Sequence, residues 1–399
     1  MVEGRDGTGF VALCGSDLEL TMRQDAIKTL RCPACRGVLR VSVFRRASGE
    51  VQEGFLRCLA CAEEYPVVAG MPRMVLREHR KGYSGFWAKH KRGIRGNQVA
   101  RGIVNEAEHR TVESFSHKWD LFPAYAVGNP EHEMFYDLWT ASKFGFESVE
   151  ELHAYFRDKQ TILDVGCGVG QKLRMMARNS PGQVYGFDLS SAAIHAYENT
   201  KDLRNVTVAQ ADLMRPPFGP GQFDFVMADG VLHHTSDTRK AFLSVVPLVK
   251  PGGAILIHVY KKMGPVREMT DAYLRSRITK MTPEEAWDAC RPITNLGKAL
   301  THLNVDITVP EDIPLLEIKA GTYNLQRFLY YQVLKCFWND IFTFEENNFG
   351  VFDHYHPTYA RKHTEEEVVS WFQEASLKDI VVHQRSPNGI SVVAKAPKD

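Results

Sequence analysis

A glycine-rich turn preceded by an aspartate is the part of this chain best suited to bind a ligand. Segment 162–171 carries the pattern Asp-x-Gly-x-Gly-x-Gly, which runs from Asp164 to Gly170. Glycine lacks the Cβ atom that would keep a ligand away from the backbone. A helix predicted to begin at Gln171 would direct its free N–H groups into the same turn. The pattern therefore predicts a ligand-binding turn between a strand and a helix.

The strands that position this turn are short apolar runs at regular intervals. The first is the run 162–165, which ends at the turn. Further strands are predicted at 184–190, 206–213, 223–235 and 250–259. Asp188 lies near the end of the second strand, where a carboxylate can accept two hydrogen bonds from a ribose diol. Because the carboxyl ends of parallel strands meet at one edge of a sheet, the glycine turn and Asp188 are expected to lie together.

These elements, together with the Lys-Pro-Gly-Gly step that begins at Lys250, resemble the class I S-adenosylmethionine-dependent methyltransferases. The resemblance implies an α/β fold with a doubly wound, Rossmann-like sheet of seven strands. It also implies S-adenosylmethionine as the cofactor, with Asp188 on the ribose, Asp212 beside the adenine amino group and Leu213 as a neighbouring donor. The cofactor-binding residues expected on this basis are Asp164, Gly166, Cys167, Gly168, Gly170, Asp188, Leu189, Asp212, Leu213, Asp229, Gly230 and Trp119.

Four residues are candidates for catalysis. His233 and His234 follow the fourth strand, while Tyr355 and His356 lie in a polar, aromatic segment, 352–364. We predict this segment to be a loop before a helix that Thr364 caps, with Glu367 at the capping-box position. The sulfonium methyl group is already a strong electrophile, so a base is needed only for a hydroxyl, phenol or carbon acceptor. Either histidine of the 233–234 pair could instead be a core histidine. A metal at the histidines of the 352–364 segment is disfavoured, because its tyrosines and proline suit a hydrogen-bonding loop better.

Two Cys-x-x-Cys pairs precede the methyltransferase motifs. They are Cys32 with Cys35 and Cys58 with Cys61, and 22 residues separate the pairs. Four thiolates at this spacing can close a tetrahedron around zinc, which leaves no open position for a substrate and makes the metal structural. Disulfides are the alternative, disfavoured by the scattered remaining cysteines and by the lack of a secretory signal. Segment 62–75 resembles the zinc-ribbon proteins that activate tRNA and protein methyltransferases.

The domain organisation follows from these motifs. A zinc ribbon is predicted at 24–76, a basic linker at 77–110 and the cofactor-binding core at 111–260. A helical insertion that caps the substrate follows at 261–350, and 351–399 supplies a pocket loop and the end of the core. Within the linker, segment 77–101 carries eight lysines or arginines against one acid, and it either binds phosphates or is a solvated connection.

Composition limits the possible partners. The net charge of +1 argues against an obligate nucleic-acid binder, and the lack of a long apolar run argues against a membrane span. Unpaired cysteines favour a cytoplasmic location. We expect a methyltransferase for a small organic acceptor, with a role in a biosynthetic pathway and a homodimer through the insertion as further expectations. The alternatives are an RNA methyltransferase that uses the ribbon and basic segment, and a non-catalytic scaffold that binds a partner methyltransferase.

Overall fold

The structure is a computed structural model that describes residues 24–75, 84–90, 106–383 and 388–398. Cys14 and most of the basic segment 77–101 lie outside the described residues. In the described part of the segment, Lys89 donates to Glu53 at 2.9 Å and His90 lies 3.1 Å from the same carboxylate. Over the described ranges, no helix combines the length and the apolar character that a membrane crossing requires.

The N-terminal residues form a small antiparallel module. Its elements are helix α1 (Gln24–Thr29) and strands β1 (Leu39–Ala47), β2 (Glu50–Cys58), β3 (Glu64–Val68) and β4 (Met71–Met74). Each strand pairs with the next in the chain. The β1–β2 hairpin closes on Ser48 and Gly49, whose φ angles of 49° and 83° suit a two-residue turn with the right-handed twist of the strands.

Four helices lie between this module and the core in the described ranges. They are α2 (Ser84–Lys89), α3 (Glu106–Leu121), α4 (Pro130–Lys143) and α5 (Val149–Tyr155). The start of α4 is fixed by Asn129, whose side chain accepts hydrogen bonds from the backbone N–H groups of Glu131 and His132. Pro130 occupies the first turn, where no intrahelical N–H bond is lost.

The core alternates strands and helices. In chain order it contains β5 (Thr161–Val165), α6 (Gln171–Asn179), β6 (Gln183–Asp188), α7 (Ala192–Thr200), β7 (Val206–Ala211), β8 (Phe223–Asp229), α8 (Thr238–Val245) and β9 (Val249–Tyr260). Strands β5 to β9 pair in parallel and in the order β7-β6-β5-β8-β9. Their carboxyl ends therefore meet at one edge, where the glycine turn and the acids were expected.

The segment between β9 and the last core strands is the insertion. It contains α9 (Pro265–Ile278), α10 (Pro283–Leu303), β10 (Asp306–Val309), β11 (Gly321–Asn324), α11 (Leu325–Gln332) and α12 (Phe344–Tyr355). It is helical, as expected, apart from the β10–β11 hairpin. Helix α10 is continuous through Pro292. Burial of one helix face, including Cys290 and Thr294, outweighs the single hydrogen bond that the proline removes.

The prediction of a loop at 352–364 is wrong for its first part. Helix α12 continues to Tyr355, so it also crosses the division placed at 350/351. The sequence signal for the start of α12 is a capping box. The side chain of Thr343 accepts from the backbone N–H of Glu346, and the side chain of Glu346 accepts from the backbone N–H of Thr343. The chain then enters α13 (Glu365–Glu374), which starts at the predicted capping box of Thr364 and Glu367.

The sheet is larger than the seven strands expected. Strands β12 (Lys378–His383) and β13 (Gly389–Lys395) complete one side, since β13 pairs antiparallel with β9. On the other side β4 pairs in parallel with β7, which gives an eleven-stranded sheet in the order β1-β2-β3-β4-β7-β6-β5-β8-β9-β13-β12. Leu30 and Tyr65 of the N-terminal module belong to the same buried cluster as Phe187 and Phe218 of the core. The module is thus an extension of the core sheet.

Candidate cofactor-binding cleft

The glycine turn adopts a conformation that suits glycine. Gly166, Gly168 and Gly170 have φ angles of 68°, 53° and 88°, in the left-handed region that L residues avoid. A Cβ added to Gly166 would lie 2.3 Å from Val231, and one on Gly168 would lie 3.1 Å from the ring of Trp119. The backbone N–H of Gly166 donates to the carbonyl of Phe187 at 2.8 Å, which holds the turn against β6.

Asp188 lies at the end of β6 and faces the turn. One carboxylate oxygen accepts from the N–H of Gly168 at 3.1 Å, and the other accepts from the N–H and hydroxyl of Ser190 at 2.9 and 2.7 Å. Three donors therefore fix the orientation of the carboxylate, while a carboxylate has about four lone-pair sites. It can still accept a hydroxyl hydrogen bond from a ligand in the cleft.

The third acid is held by its own loop. Asp212 follows β7, and its carboxylate accepts from the N–H of Met214 at 2.8 Å. The carbonyl of the adjacent Leu213 accepts from the hydroxyl of Ser244 at 2.7 Å. Burial and the neighbouring Asp212 raise the pKa of Glu108 in α3, so an acidic patch lies beside this loop. Such a patch suits a ligand that presents hydrogen-bond donors, as an adenine amino group does.

One cavity of about 800 Å³ brings most of the expected residues together. The expected cofactor residues that line it are Trp119, Asp164, Gly166, Cys167, Gly168, Asp188, Leu189, Asp212, Leu213, Asp229 and Gly230. Gly170 lies outside the lining and serves as the N-cap of α6. Phe115 of α3 also lines the cavity, as do Tyr330 and Tyr331 of the insertion. The cavity therefore extends from the glycine turn to the underside of the insertion.

Of the four catalytic candidates, His234 alone lines this cavity. Its Nδ1 lies 2.7 Å from the carbonyl of Tyr359, so Nδ1 carries the proton and Nε2 keeps its lone pair. Burial lowers the pKa of His234 to about 4, and the imidazole is neutral near pH 7. A neutral imidazole with a free lone pair can accept a proton.

The structure places the other three candidates in packing roles. His233 is fully buried, with its ring 3.9 Å from that of Tyr260. Tyr355 donates its hydroxyl proton to Asp271 at 3.1 Å, a contact fixed by its place in α12. The ring nitrogens of His356 contact the Ser114 hydroxyl at 2.9 Å and the Met281 carbonyl at 3.3 Å.

Two lysines that the sequence analysis did not identify control the polar end of the cleft. Lys143 lies 2.6 Å from both carboxylate oxygens of Asp229, and Lys172 lies 3.0 Å from one of them. Burial opposes ionisation of Asp229, but the lysines outweigh it and hold its pKa well below the ordinary value. Asp164 has no such direct partner in the described part of the chain, and burial raises its pKa to about 7. Lys172 directly follows the glycine turn, whereas nothing in the local sequence marks Lys143.

The four cysteines of the N-terminal module converge on one point. Their Sγ atoms all lie within 4.8 Å of one another. Sγ of Cys32 lies 3.6 Å from that of Cys61, and Sγ of Cys35 lies 3.4 Å from that of Cys58. A tetrahedron with metal–sulfur bonds of about 2.3 Å has edges of about 3.8 Å. The cluster therefore has nearly the dimensions of a four-thiolate zinc site.

Comparison with known proteins agrees with this geometry. Residues 163–257 match the model of a methyltransferase domain family. An uncharacterized methyltransferase of Mycobacterium tuberculosis is 32% identical over 181 residues, which cover 44% of this chain and 85% of that protein. The fold, the glycine turn and this relative show that the chain belongs to the class I S-adenosylmethionine-dependent methyltransferases.

Other similarities are more local. Phosphoethanolamine N-methyltransferase 2 of Caenorhabditis elegans is 35% identical over 111 residues, which make up 27% of this chain and 25% of that enzyme. A solved structure of an O-methyltransferase family protein from Burkholderia thailandensis is 14% identical, with a TM-score of 0.40 and coverage of 80% of this chain and 70% of that one. These two likenesses assign no substrate to this chain.

Proposed function

We propose that this chain transfers the methyl group of S-adenosylmethionine to a small organic acceptor enclosed beneath the insertion. The observation that carries the proposal is the single cavity, which joins the glycine turn and its acids to aromatic residues of α11. Enclosed, largely aromatic cavities with a few polar groups suit small molecules. A chemical setting of this kind is typical of a biosynthetic step, in which one acceptor is modified away from water.

The residues of the cleft fit the cofactor. Asp188 has acceptor capacity for a ribose hydroxyl, and Asp212 can accept from the adenine amino group. The glycine turn leaves room for the ligand beside Trp119. Lys172 and Asp229 offer both charges to the amino-acid end of the molecule. When bound, S-adenosylmethionine supplies an activated methyl group.

The protein itself would place the acceptor, exclude water from the cleft and accept a proton. The helices of the insertion cover the cleft, and the acceptor would lie between them and the carboxyl ends of the strands. His234 would take the proton of a hydroxyl, phenol or carbon acceptor at Nε2, while its Nδ1–H stays bonded to Tyr359. For an amine or carboxylate acceptor His234 would only shape the pocket.

Calorimetry with S-adenosylhomocysteine tests the proposal. Wild type should bind it with micromolar affinity, and Asp188→Ala should lose on the order of tenfold to a hundredfold of that affinity, because a charged hydrogen bond to the ribose is removed. Asp202→Ala is the matched control, since Asp202 is an exposed aspartate paired with Arg174 at the surface. Wild-type protein that binds neither S-adenosylhomocysteine nor S-adenosylmethionine would exclude the proposed function.

We further propose that the cysteine cluster holds one structural zinc ion in a zinc ribbon. The four thiols approach tetrahedral dimensions, and a closed four-thiolate site has no position for a substrate. A cytoplasmic setting would keep these thiols reduced and available for the metal. Metal analysis of protein purified without chelators should find about one zinc per chain, and an absence of zinc and other divalent metals would contradict this assignment.

A further inference from the structure

Lys335 lies in the wall of the cavity beneath the insertion and has no acidic partner among the described residues. It follows α11 and lines both the large cavity and a small side cavity next to it. Its backbone N–H donates to the hydroxyl of Tyr355 at 3.1 Å, which fixes the position of the chain. The side chain is half-buried, and its Nζ lies 5.5 Å from the ring centre of Tyr260. Among the described residues, no carboxylate lies within 4.0 Å of this Nζ.

The acids nearest to Lys335 are already occupied. Asp353 pairs with Lys118 through one oxygen and accepts from the hydroxyl of Tyr260 at 3.1 Å through the other. Asp271 binds Arg267 at 2.8 Å and Lys362 at 2.6 Å. Lys118, Arg267 and Lys362 therefore already neutralise these two acids.

The surroundings make this unpaired charge unfavourable. Burial is the main cause that lowers the pKa of Lys335 to about 8. The charges of Arg267 and Lys362 lower this pKa further, whereas the carboxylate of Asp353 raises it. A desolvated ammonium without a partner is unfavourable, and pairing with a bound anion would offset this cost. Groups with strongly perturbed pKa values cluster at functional sites.

We propose that the methyl acceptor is an organic anion whose carboxylate or phosphate group pairs with Lys335. This inference rests on the proposed function, because it names the acceptor class of the same cleft. The tyrosines Tyr330 and Tyr331 line the cavity with Lys335, so they can pack against the organic part of the acceptor. Asn388, held by a hydrogen bond of 3.0 Å to the hydroxyl of Tyr330, adds a second polar group.

The test uses protein saturated with S-adenosylhomocysteine and three probes of similar shape: benzoate, phenyl phosphate and neutral benzamide. At least one of the anions should bind about tenfold or more tightly than benzamide by calorimetry. The preferred anion shows whether the natural group is a carboxylate or a phosphate. Lys335→Met should abolish the preference, Lys335→Arg should retain part of it, and the exposed-lysine control Lys240→Met should leave it unchanged.

Thermal unfolding separates this role from a structural one. If Lys335 is kept for a ligand, Lys335→Met removes an unpaired, half-buried charge and should leave Tm unchanged or raise it by a few degrees. The inference is overturned if the anions bind no more tightly than benzamide, or if Lys335→Met retains the preference. A Tm lowered in Lys335→Met alone would assign the side chain to packing. Binding of S-adenosylhomocysteine is measured separately. Protein that binds S-adenosylhomocysteine but shows no preference for anions would contradict the anionic acceptor and leave the proposed function in place.

Discussion

The cofactor edge of the sheet is flanked by two added parts that are attached in different ways. The N-terminal module joins the core through backbone pairing of β4 with β7. The insertion is joined through side chains, such as Asp353 of α12, which pairs with Lys118 of α3 and accepts from the hydroxyl of Tyr260 in β9. The stability of backbone pairing depends little on pH. The stability of a group of charged side chains depends on the protonation state of each side chain in it. These two parts, the module flank and the insertion flank, should therefore lose stability under different treatments.

Each flank also carries an arginine that binds backbone carbonyls of a core loop. On the module side, Arg36 donates to the carbonyls of Pro216 and Phe218, just after the loop of Asp212. On the insertion side, Arg275 donates to the carbonyls of His354, Pro357 and Thr358, just before Tyr359. One arginine thus supports the predicted adenine end of the cleft, and the other supports the acceptor end.

The largest effect is expected from loss of the cysteine cluster. In Cys32→Ser/Cys35→Ser the module should lose the proposed zinc and much of its structure, because the metal-binding free energy of such a site is also folding free energy. Since β4 fixes the strand that leads to Asp212, affinity for S-adenosylhomocysteine should fall about tenfold or more. Cys290→Ala, in the buried face of α10, is the control and should leave metal content unchanged. Full cofactor affinity in a metal-free double variant would show that the module is independent of the cleft.

Acid should act on the insertion flank. Burial lowers the pKa of His234 to about 4 and that of His354 to about 3, while an unfolded histidine titrates near 6.5. Between these values the unfolded chain binds more protons than the native one, so stability falls as the pH drops below about 6.5. Tm should therefore decrease between pH 7 and pH 5. His354→Gln should weaken that dependence, whereas the exposed His302→Gln should not.

The smallest effects are expected from the paired arginines, and they should separate the two ends of the cleft. Arg36→Met should lower affinity for S-adenosylhomocysteine about threefold to tenfold, since it removes hydrogen bonds that are worth about 1 kcal/mol each. Binding of the anionic probes at saturating S-adenosylhomocysteine should change little.

Arg275→Met should show the reverse pattern, because its loop positions His234 at the acceptor end. Anion binding should weaken while affinity for S-adenosylhomocysteine is kept. Equal losses of both affinities in either variant would mean that the two flanks act as one unit.

Local sequence signals predicted the parts of the site that depend on neighbouring residues. The glycine turn from Asp164 to Gly170 and the capping box at Thr364 depend on residues a few positions apart, and both have the expected geometry. The convergence of the four cysteines was also predicted from their spacing, although the joining of the N-terminal strands to the core sheet was not.

Contacts between distant residues could not be predicted in this way. Lys143 and Asp229 are 86 positions apart, and only the packing of α4 on the sheet brings them together. Nothing in the short segment Met71–Met74 indicated that it would pair with β7 rather than end the module. Catalytic candidates such as His356 were chosen by residue type alone, and His356 lies outside the cavity lining. A polar side chain that lines a pocket cannot be distinguished in sequence from one that packs in the interior.

The pairing of β4 with β7 also protects the sheet. A strand at the edge of a sheet exposes unpaired N–H and C=O groups that can recruit another chain, and β4 covers those of β7 at residues 210 and 211. Beyond them, the outermost strand on this side is β1, which carries Arg40, Arg45 and Arg46. Charged side chains on an edge strand discourage self-association. The module therefore replaces a bare, apolar border of the catalytic sheet with a charged one, and a chain cut back to the methyltransferase core would be prone to aggregate.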